Sequence, residues 1–460
     1  MPLYKEENYL IVHPGSEHTL FSFGLQDSLA PPQFKIPSKV YQDENTKDYK
    51  ATAAEGLKEI SPIADGKIVD LDGFNYLLKI ILQSVISNNP ILTINQIPLL
   101  LIVPSLSWSR IQIEYITKFV IESLELTAFN ILDLSLASTF GIGSTANSLV
   151  VNIGHNNVQI VPIIGYQIVK FASKFLMGIG GSSIDAHIKK VLPNLTDQQI
   201  VDFKSSGIYE VMNDEQTQAF YNNAELKTHP SKPDEEEDDF DVAKLVTETE
   251  NAETGEKQQE PVAANNELEK NYFVDSKTQE KIWIGKERFE GTTELIQIIV
   301  DAIFASLSLI PDIEKRQECF DNLILVGSTF KIPGLKQQLV LKLAEKYLVT
   351  EPQQPGETKQ NGINSAIAAY QQAEELNESE TSTLPQVPHS IKLAKYPEYF
   401  PEWKKPKDLT KSSWNDVYFL GAQIYAKQIF SSSSNHGKDL FVDSDVYEER
   451  GPQSIWDACV

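Results

Sequence analysis

The chain has 460 residues, 41% of them apolar and 9% aromatic, which is enough for two hydrophobic cores without a disulfide framework. Its net charge of −24 argues against direct nucleic-acid binding, because that affinity depends mainly on Lys and Arg side chains that neutralise phosphates. The two cysteines, Cys319 and Cys459, are too far apart in sequence for a Cys-x-x-Cys metal site and fit a reducing compartment. The N-terminal residues lack the pattern of a signal peptide. The most apolar run, 97–104, is far shorter than the roughly 20 residues of a membrane span, so no membrane association is expected.

The first predicted element is a hairpin, in which an apolar strand at 10–12 runs through a Pro-Gly-Ser turn into a second apolar strand at 19–21. The same layout returns at 149–161, with a glycine in the turn. A third apolar strand, 323–326, ends in a Gly-Ser-Thr turn. This arrangement is typical of a two-lobed nucleotide clamp, since backbone amides in glycine turns can hold phosphates. The candidate nucleotide-binding residues, vestigial if the site has lost its function, are Gly15, Ser16, Gly154, Gly327, Ser328 and Thr329.

Two amphipathic helices are predicted, each after a buried strand. Apolar residues recur at helical spacing between 107 and 127, after the apolar run at 99–103. The same spacing recurs at 334–348, after the strand at 323–326. Alternation of buried strands with amphipathic helices predicts an α/β fold, and its ligand site is expected at strand ends between two lobes.

Two polar stretches interrupt this pattern. Residues 212–268 contain few large apolar side chains and include the run Asp-Glu-Glu-Glu-Asp-Asp-Phe-Asp at 234–241. Such a composition cannot bury enough surface to offset the entropy cost of ordering, so we predict an acidic, disordered insertion. Residues 351–382 form a second polar insertion.

Several motifs resemble, in the same order, those of the actin family. Besides the three turns, Ile-Gly-Lys-Glu-Arg-Phe at 284–289 is close to an actin turn, and Pro333-Gly334 follows the third turn as it does in actins. Phe-Leu-Gly-Ala at 419–422 resembles part of the last helix of the family. Within the family, the stretch at 391–405 resembles the ninth class of actin-related proteins, which are subunits of the fungal SWI/SNF and RSC chromatin remodellers.

The resemblance implies an actin-like two-lobed α/β fold with duplicated ribonuclease-H-like domains. The first lobe would comprise residues 1–142 and 405–460, and the second residues 143–404, including both insertions. The resemblance further implies a nuclear subunit of an ATP-dependent chromatin-remodelling complex that supports transcription regulation. The implied partners are a second actin-related protein, a helical segment of the motor ATPase, and other remodeller subunits.

The residues that match the hydrolytic apparatus of the family have different chemistry. The two turn aspartates that direct the Mg²⁺ water shell correspond to His13 and Asn152, and the phosphate lysine corresponds to Leu20. The water-positioning glutamine corresponds to Ser135. Because Mg²⁺ prefers hard oxygen ligands, the loss of both carboxylates predicts a non-catalytic scaffold without a cofactor or metal. The remaining glycines would then serve tight turns and close packing of the lobes.

The residues leave other functions open beside this scaffold. The main alternative is a nucleotide-binding actin-like ATPase or conformational sensor that holds ATP through altered ligands. A sugar kinase or chaperone relative is disfavoured by the motifs at 284–289 and 333–334. Asp133 and Ser135 could pair as an acid and a nucleophile, but no histidine is placed to act as the base. His13 and His155 lack a carboxylate or cysteine at ligand spacing, so they do not predict a metal site.

The surface for partners is predicted from the resemblance. Actins and their relatives bind partner helices in an apolar groove, and the matching residues are Gly141, Ile142, Tyr166, Tyr425, Gln428 and Ile429. The two tyrosines could equally be aromatic residues at the edge of the core. The aromatic stretch at 396–405 is predicted either to pack as an extended arm or to present Tyr399, Phe400 and Trp403 as interface anchors.

Overall fold

The computed structural model describes residues 4–25, 29–143, 146–211, 265, 267–348, 387–404, 414–431 and 440–458. The predicted acidic insertion lies outside the described residues except at its last few positions, and the predicted polar insertion at 351–382 lies outside them entirely. Among the described residues, no helix is both long and apolar enough to cross a lipid bilayer.

The strands are short and are numbered in chain order. They are β1 (Leu10–Pro14), β2 (His18–Phe23), β3 (Phe34–Pro37), β4 (Val40–Asp43), β5 (Tyr49–Lys50), β6 (Leu57–Ile60), β7 (Ile63–Ala64), β8 (Lys67–Ile68), β9 (Pro98–Val103), β10 (Ala128–Asp133), β11 (Ser148–Ile153), β12 (Asn157–Ile164), β13 (Gln167–Ile168), β14 (Lys174–Met177), β15 (Asn271–Val274), β16 (Lys281–Ile284) and β17 (Leu323–Val326).

The helices are numbered in the same way. They are α1 (Leu71–Asn88), α2 (Arg110–Lys118), α3 (Leu134–Ile142), α4 (Gly181–Val191), α5 (Asp197–Ser205), α6 (Thr293–Leu307), α7 (Ile313–Asp321), α8 (Leu335–Tyr347), α9 (Pro401–Lys404), α10 (Val417–Ser431), α11 (Ser444–Arg450) and α12 (Ile455–Ala458).

Two larger sheets share one strand order, which is the duplication expected from the resemblance. In the first sheet the order is β3-β2-β1-β9-β10, with an antiparallel trio followed by two parallel strands. In the second sheet β14 and β13 both pair with β12, followed by β11 and the parallel β17. Leu393 forms a parallel bridge with Leu323 beside β17 and so takes the fifth position. The duplicated two-sheet α/β fold is therefore confirmed.

The two predicted amphipathic helices both form, but the first is shorter than its apolar pattern. α2 starts after Ser109, which caps it in a reciprocal hydrogen bond with Gln112, and it ends at Lys118. The helix then continues as the π-helical turn Phe119–Ser123, and Glu125, two residues further on, has a left-handed backbone (φ 55°). The predicted helix at 334–348 corresponds to α8.

Buried apolar side chains form three clusters, which we name by position. A first-sheet cluster lies between the first sheet and α1 and α2, and a second-sheet cluster lies between the second sheet and α4 to α8. A shared cluster, around α3 and α10, takes residues from both sheets, including Ile11 and Val150. The two halves are therefore joined through a common apolar core.

Two glycines let α3 and α10 cross in van der Waals contact. A Cβ at Gly421 would overlap the carbonyl oxygen of Ala137, and a Cβ at Gly141 would overlap the carbonyl oxygen of Val417. No larger residue fits either position unless the helices move apart. We call this crossing the α3–α10 seam.

The last positions of the predicted acidic insertion are held by the folded part of the chain. The fully buried guanidinium of Arg288 donates to Oδ1 of Asn265 (3.1 Å), to the backbone oxygen of Asn265 (2.7 Å) and to that of Leu268. Nδ2 of Asn265 in turn donates to the backbone oxygen of Ile208 (2.9 Å) and to Glu210 (2.8 Å). The two chain ends that flank 212–264 are therefore tied together.

Candidate functional site

The first turn, between β1 and β2, is fixed by contacts within the protein. The amide of Gly15 donates to the backbone oxygen of His18 (3.1 Å), and a Cβ on Gly15 would lie 2.7 Å from that oxygen. Oγ of Ser16 accepts from the amide of Gly66 (3.0 Å), in the β7–β8 hairpin. Both predicted phosphate-contacting residues of this turn therefore have a structural role.

The second and third turns pack on each other. Oγ1 of Thr329 donates to the backbone oxygen of Gly154 (3.0 Å). Gly327 has φ 108°, and a Cβ there would overlap the backbone oxygen of Ile153. Ser328 is exposed beside them. The structure thus brings Gly154, Gly327 and Thr329 together, and close packing accounts for the small residues.

The first and second turns also contact each other directly across the cleft between the sheets. Oε1 of Glu17 lies 3.5 Å from Nε2 of His155. Nδ2 of Asn156, in the second turn, donates to Oδ1 of Asp65, in the β7–β8 hairpin. We call these two pairs the cross-cleft contacts. They close the cleft with side chains of the protein itself.

His13 and Asn152 occupy the ends of β1 and β11, where carboxylates would be needed to direct a Mg²⁺ water shell. The ring of His13 lies 4.6 Å from that of Tyr418, and desolvation lowers the pKa of His13 to about 4, although the charge of Asp416 opposes this. A neutral imidazole and an amide offer no anionic oxygen, so these residues do not fit a Mg²⁺–nucleotide site. Among the described residues, no cluster of three His, Cys, Asp or Glu side chains could hold a metal ion.

Positive side chains gather at the cleft beside the third turn. Nζ of Lys331 lies 3.3 Å from Oδ2 of Asp416, whose side chain is almost fully buried. Lys336 donates to the hydroxyl of Tyr396 (2.9 Å), and desolvation lowers the pKa of Lys336 to about 8. Desolvation, with repulsion from Lys331, also lowers the pKa of Lys35. Of these three lysines, Lys331 is paired with the carboxylate of Asp416, whereas Lys35 and Lys331 repel each other.

Asp133 and Ser135 have a structural role at the start of α3. Oδ1 of Asp133 accepts from the amide of Ser135 (2.8 Å) and so caps the helix. The hydroxyl of Ser105 donates to Oδ1 of Asp133 (2.5 Å) and lies 2.6 Å from that of Ser135. Desolvation raises the pKa of Asp133 to about 6, although the bond from Ser105 opposes the shift. The described partners of Ser135 include no histidine, so nothing here resembles a nucleophile with its base.

The residues of the predicted partner groove divide into buried and exposed sets. Tyr425 is 4% exposed and stacks on Phe140, with ring centroids 5.7 Å apart. Ile142 and Ile429 are also buried, and Gly141 belongs to the α3–α10 seam. Tyr166, 52% exposed, and Gln428 reach the surface. The groove stays a prediction, and only these last two side chains can be altered without disturbing the core.

Most of the aromatic stretch at 396–405 packs as an arm against the fold. Trp403 is fully buried and its Nε1 donates to the backbone oxygen of Leu29 (2.6 Å). Tyr396 stacks on Trp414, with ring centroids 4.8 Å apart. Tyr399 alone among these aromatics is largely exposed, at 87%. Of the two alternatives, the packed arm therefore describes Tyr396 and Trp403, whereas Tyr399 is free to contact a partner.

Sequence reasoning missed the pairs that close the cleft. Glu17 and His155, and likewise Lys331 and Asp416, are far apart in the chain and belong to no motif. A lone charged residue in a turn gives no signal of its partner. The hints in the sequence that the cleft is used differently were the residues that replace the family's hydrolytic apparatus, His13, Asn152, Leu20 and Ser135.

Comparison with known proteins agrees with the fold. The actin family profile, described as "Actin", matches residues 4–375. A curated relative, the SWI/SNF and RSC complexes subunit arp9 of Schizosaccharomyces pombe, is 23% identical over 544 residues, covering 99% of each chain. This match confirms the resemblance to the ninth class of actin-related proteins. With a family match over most of its length and two sheets of the same strand order, the chain belongs to the actin family.

Proposed function

We propose that the chain is a non-catalytic scaffold subunit of an ATP-dependent chromatin-remodelling complex in the nucleus. It pairs with a second actin-related protein on a helical segment of the motor ATPase and thereby supports transcription regulation. The S. pombe relative, whose name assigns it to the SWI/SNF and RSC complexes, supports this assignment because the similarity runs through 99% of both chains.

The observation that carries the non-catalytic part is the chemistry of the two turns. In an enzyme that hydrolyses ATP, Mg²⁺ and its waters neutralise charge on the phosphates and must be held by hard oxygen ligands. Here the ends of β1 and β11 present His13, whose pKa is lowered to about 4, and the amide of Asn152. Neither side chain can replace a carboxylate at neutral pH. The residues therefore support a cleft that does not use Mg–ATP.

The cross-cleft contacts support the same proposal. In this chain the turns are bridged by Glu17 with His155 and by Asp65 with Asn156. The closed arrangement is therefore built from the chain itself, as a scaffold requires.

A scaffold of this kind also needs a rigid frame and an exposed surface. The shared cluster, which contains the α3–α10 seam, joins the two halves through buried apolar residues from both sheets. Tyr166 and Gln428 lie at the surface of the predicted groove and are our candidates for contact with the helical segment of the motor. Exposed aromatic residues are enriched among interface hot spots.

The test is co-purification of the full chain with the motor's helical segment and the companion actin-related protein. We expect a stoichiometric complex that survives without added nucleotide. Tyr166→Glu combined with Gln428→Glu should weaken it about tenfold or more, since charge placed at an interface core is poorly tolerated. Tyr115→Glu is the matched control, because that tyrosine is also exposed but lies on α2, outside the predicted groove and the arm. Failure of the unaltered chain to join the complex would contradict the proposal.

A further inference from the structure

The β15–β16 ribbon is a two-stranded antiparallel hairpin with two different faces. Its inward face places Phe273 and Ile284, both nearly fully buried, in the second-sheet cluster. Its register pairs Tyr272 with Trp283, and Val274 with Lys281. Because side chains alternate along a strand, these four side chains share the outward face.

The outward face is apolar, whereas an antiparallel ribbon over a core normally presents polar residues to water. Trp283 is 60% exposed and Val274 is 44% exposed. The rings of Tyr272 and Trp283 lie 5.1 Å apart with planes tilted by 54°. Three of the four outward side chains are thus apolar, and the two aromatic ones belong to the types that anchor interfaces.

The fourth outward residue, Lys281, gives the face a charge. Its Nζ lies 4.2 Å from the centroid of the Tyr272 ring. Among the described residues no salt bridge involves Lys281, and neither strand of the ribbon contains Asp or Glu. In a chain of net charge −24, the outward face of the two strands therefore carries two aromatic rings and one cation, and the nearest carboxylates along the chain, Asp275 and Glu280, lie in the turn between the strands.

We propose that the outward face of the β15–β16 ribbon docks a segment of another protein in which an aromatic or aliphatic side chain is flanked by carboxylates. The apolar side chain packs against Tyr272 and Trp283, and a carboxylate pairs with Lys281. Burial of the aromatic pair stabilises the contact, and the charge selects acidic segments over basic ones. The surface does not depend on the proposed assembly with a remodeller.

The cross-strand aromatic pair also stabilises the ribbon on its own, and the two roles must be separated. Lys281→Glu separates them, because it reverses the charge of the face while leaving Tyr272 and Trp283 in place. Lys190→Glu is the matched control, since it makes the same charge change at an exposed position of α4.

The experiment uses the full chain with its tryptophans labelled as 5-fluorotryptophan, and assigns the Trp283 signal from a Trp283→Phe variant. The probes are two peptides with one central phenylalanine, flanked either by glutamates or by lysines. We expect the glutamate peptide to shift the Trp283 signal and bind about tenfold more tightly than the lysine peptide. Lys281→Glu should reverse this preference at an unchanged Tm, whereas Lys190→Glu should leave it intact.

Three outcomes would overturn the proposal. The first is equal binding of both peptides, and the second is a preference that Lys281→Glu leaves unchanged. The third is binding of the glutamate peptide only after residues 212–264 are removed, which would show that this segment of the same chain occupies the face in place of another protein.

Discussion

Two of the regions in which the halves meet differ in kind: the shared cluster around the α3–α10 seam, and the cross-cleft contacts. The α3–α10 seam is apolar and so tight that Gly421 leaves no room for a Cβ. The cross-cleft contacts are polar and partly exposed, with the side chains of Glu17 and His155 51% and 35% exposed. A partly exposed ion pair is worth about 0–1 kcal/mol, whereas burial of one large apolar side chain is worth about 1.5–3 kcal/mol.

This difference assigns separate roles to the two places. The shared cluster buries apolar side chains from both sheets, so it contributes more to holding the halves together than a partly exposed ion pair does. The cross-cleft contacts determine how the turns face each other but add little stability. A chain that has lost the carboxylates for Mg²⁺ can therefore keep the fold, because the fold does not depend on the cleft.

The largest expected effect is at the seam. Gly421→Val should lower the free energy of unfolding by about 3 kcal/mol or more, because the new side chain overlaps the backbone of Ala137 and forces the helices apart. Urea unfolding of the full chain measures this. Gln428→Ala, an exposed change on the same helix, is the control and should cost less than about 0.5 kcal/mol. Equal stabilities of the two variants would refute the role given to the seam.

A second prediction contrasts buried polar contacts with the exposed ones of the cleft. Deleting 212–268 should cost about 2–3 kcal/mol, because Arg288 then loses the acceptors on Asn265 and Leu268 while still buried. Deleting 212–264 should leave the Tm nearly unchanged, since the flanking ends are already tied by Asn265. Calorimetry of both deletions provides the comparison. A large loss of Tm in the shorter deletion would show that residues within 212–264 also stabilise the fold, contrary to this prediction.

A third prediction concerns pH at the end of β1. Because burial lowers the pKa of His13 from 6.5 to about 4, the unfolded chain binds a proton in that window and the folded chain does not. This histidine therefore makes stability fall as pH decreases from 6.5 to 4, by about 2 kcal/mol. Asp133 acts in the opposite direction, since its pKa is raised from 3.8 to about 6, and its contribution is lost as pH rises through that range.

The two effects can be separated by substitution. His13→Gln should remove the loss of stability at low pH. The free energy of unfolding of this variant should therefore rise relative to that of the unaltered chain as pH falls below 6.5. Asp133→Asn, which keeps a helix cap, should have the opposite effect: its free energy of unfolding should rise relative to that of the unaltered chain as pH increases from 4 to 6. Urea unfolding at several pH values between 4 and 7.5 measures both. Parallel stability curves for all three proteins would contradict the assigned causes.

The smallest effect is expected for the cross-cleft contacts. Glu17→Gln should change the free energy of unfolding by less than about 0.5 kcal/mol, and high salt should abolish the difference, because the pair with His155 is partly exposed. The corresponding change at a buried carboxylate, Asp416→Asn, should cost more, since Asp416 is almost fully buried and pairs with Lys331. A larger loss of free energy of unfolding for Glu17→Gln than for Asp416→Asn would contradict the claim that the cross-cleft contacts add little stability.

The sequence predicted the elements that depend on local patterns. The apolar strand at 99–103, the hairpin turns at Gly15 and Gly154, and helix α8 all follow from periodicity and glycine placement. The duplication of the sheet followed from the repeated hairpin. These features require only residues close together in the chain.

Features that depend on contacts between residues far apart in the chain could not be predicted from the sequence. The pairing of Glu17 with His155 and the burial of Tyr425 against Phe140 are set by how the two halves meet. The resemblance placed Ile142 and Tyr425 in a groove, but amino-acid type alone does not distinguish a groove floor from a core. For the same reason Arg288, a charged residue in a turn motif, gave no sign that it is fully buried.

The central claim is that the cleft does not use Mg–ATP, and calorimetric titration of the full chain with Mg–ATP tests it most directly. Ser16→Ala serves as a site-specific control, and steady-state phosphate release is recorded on the same samples. We predict no saturable binding heat at millimolar nucleotide and no phosphate release above the buffer background. Stoichiometric binding together with turnover that Ser16→Ala abolishes would contradict the account and make this chain a nucleotide-dependent member of the actin family.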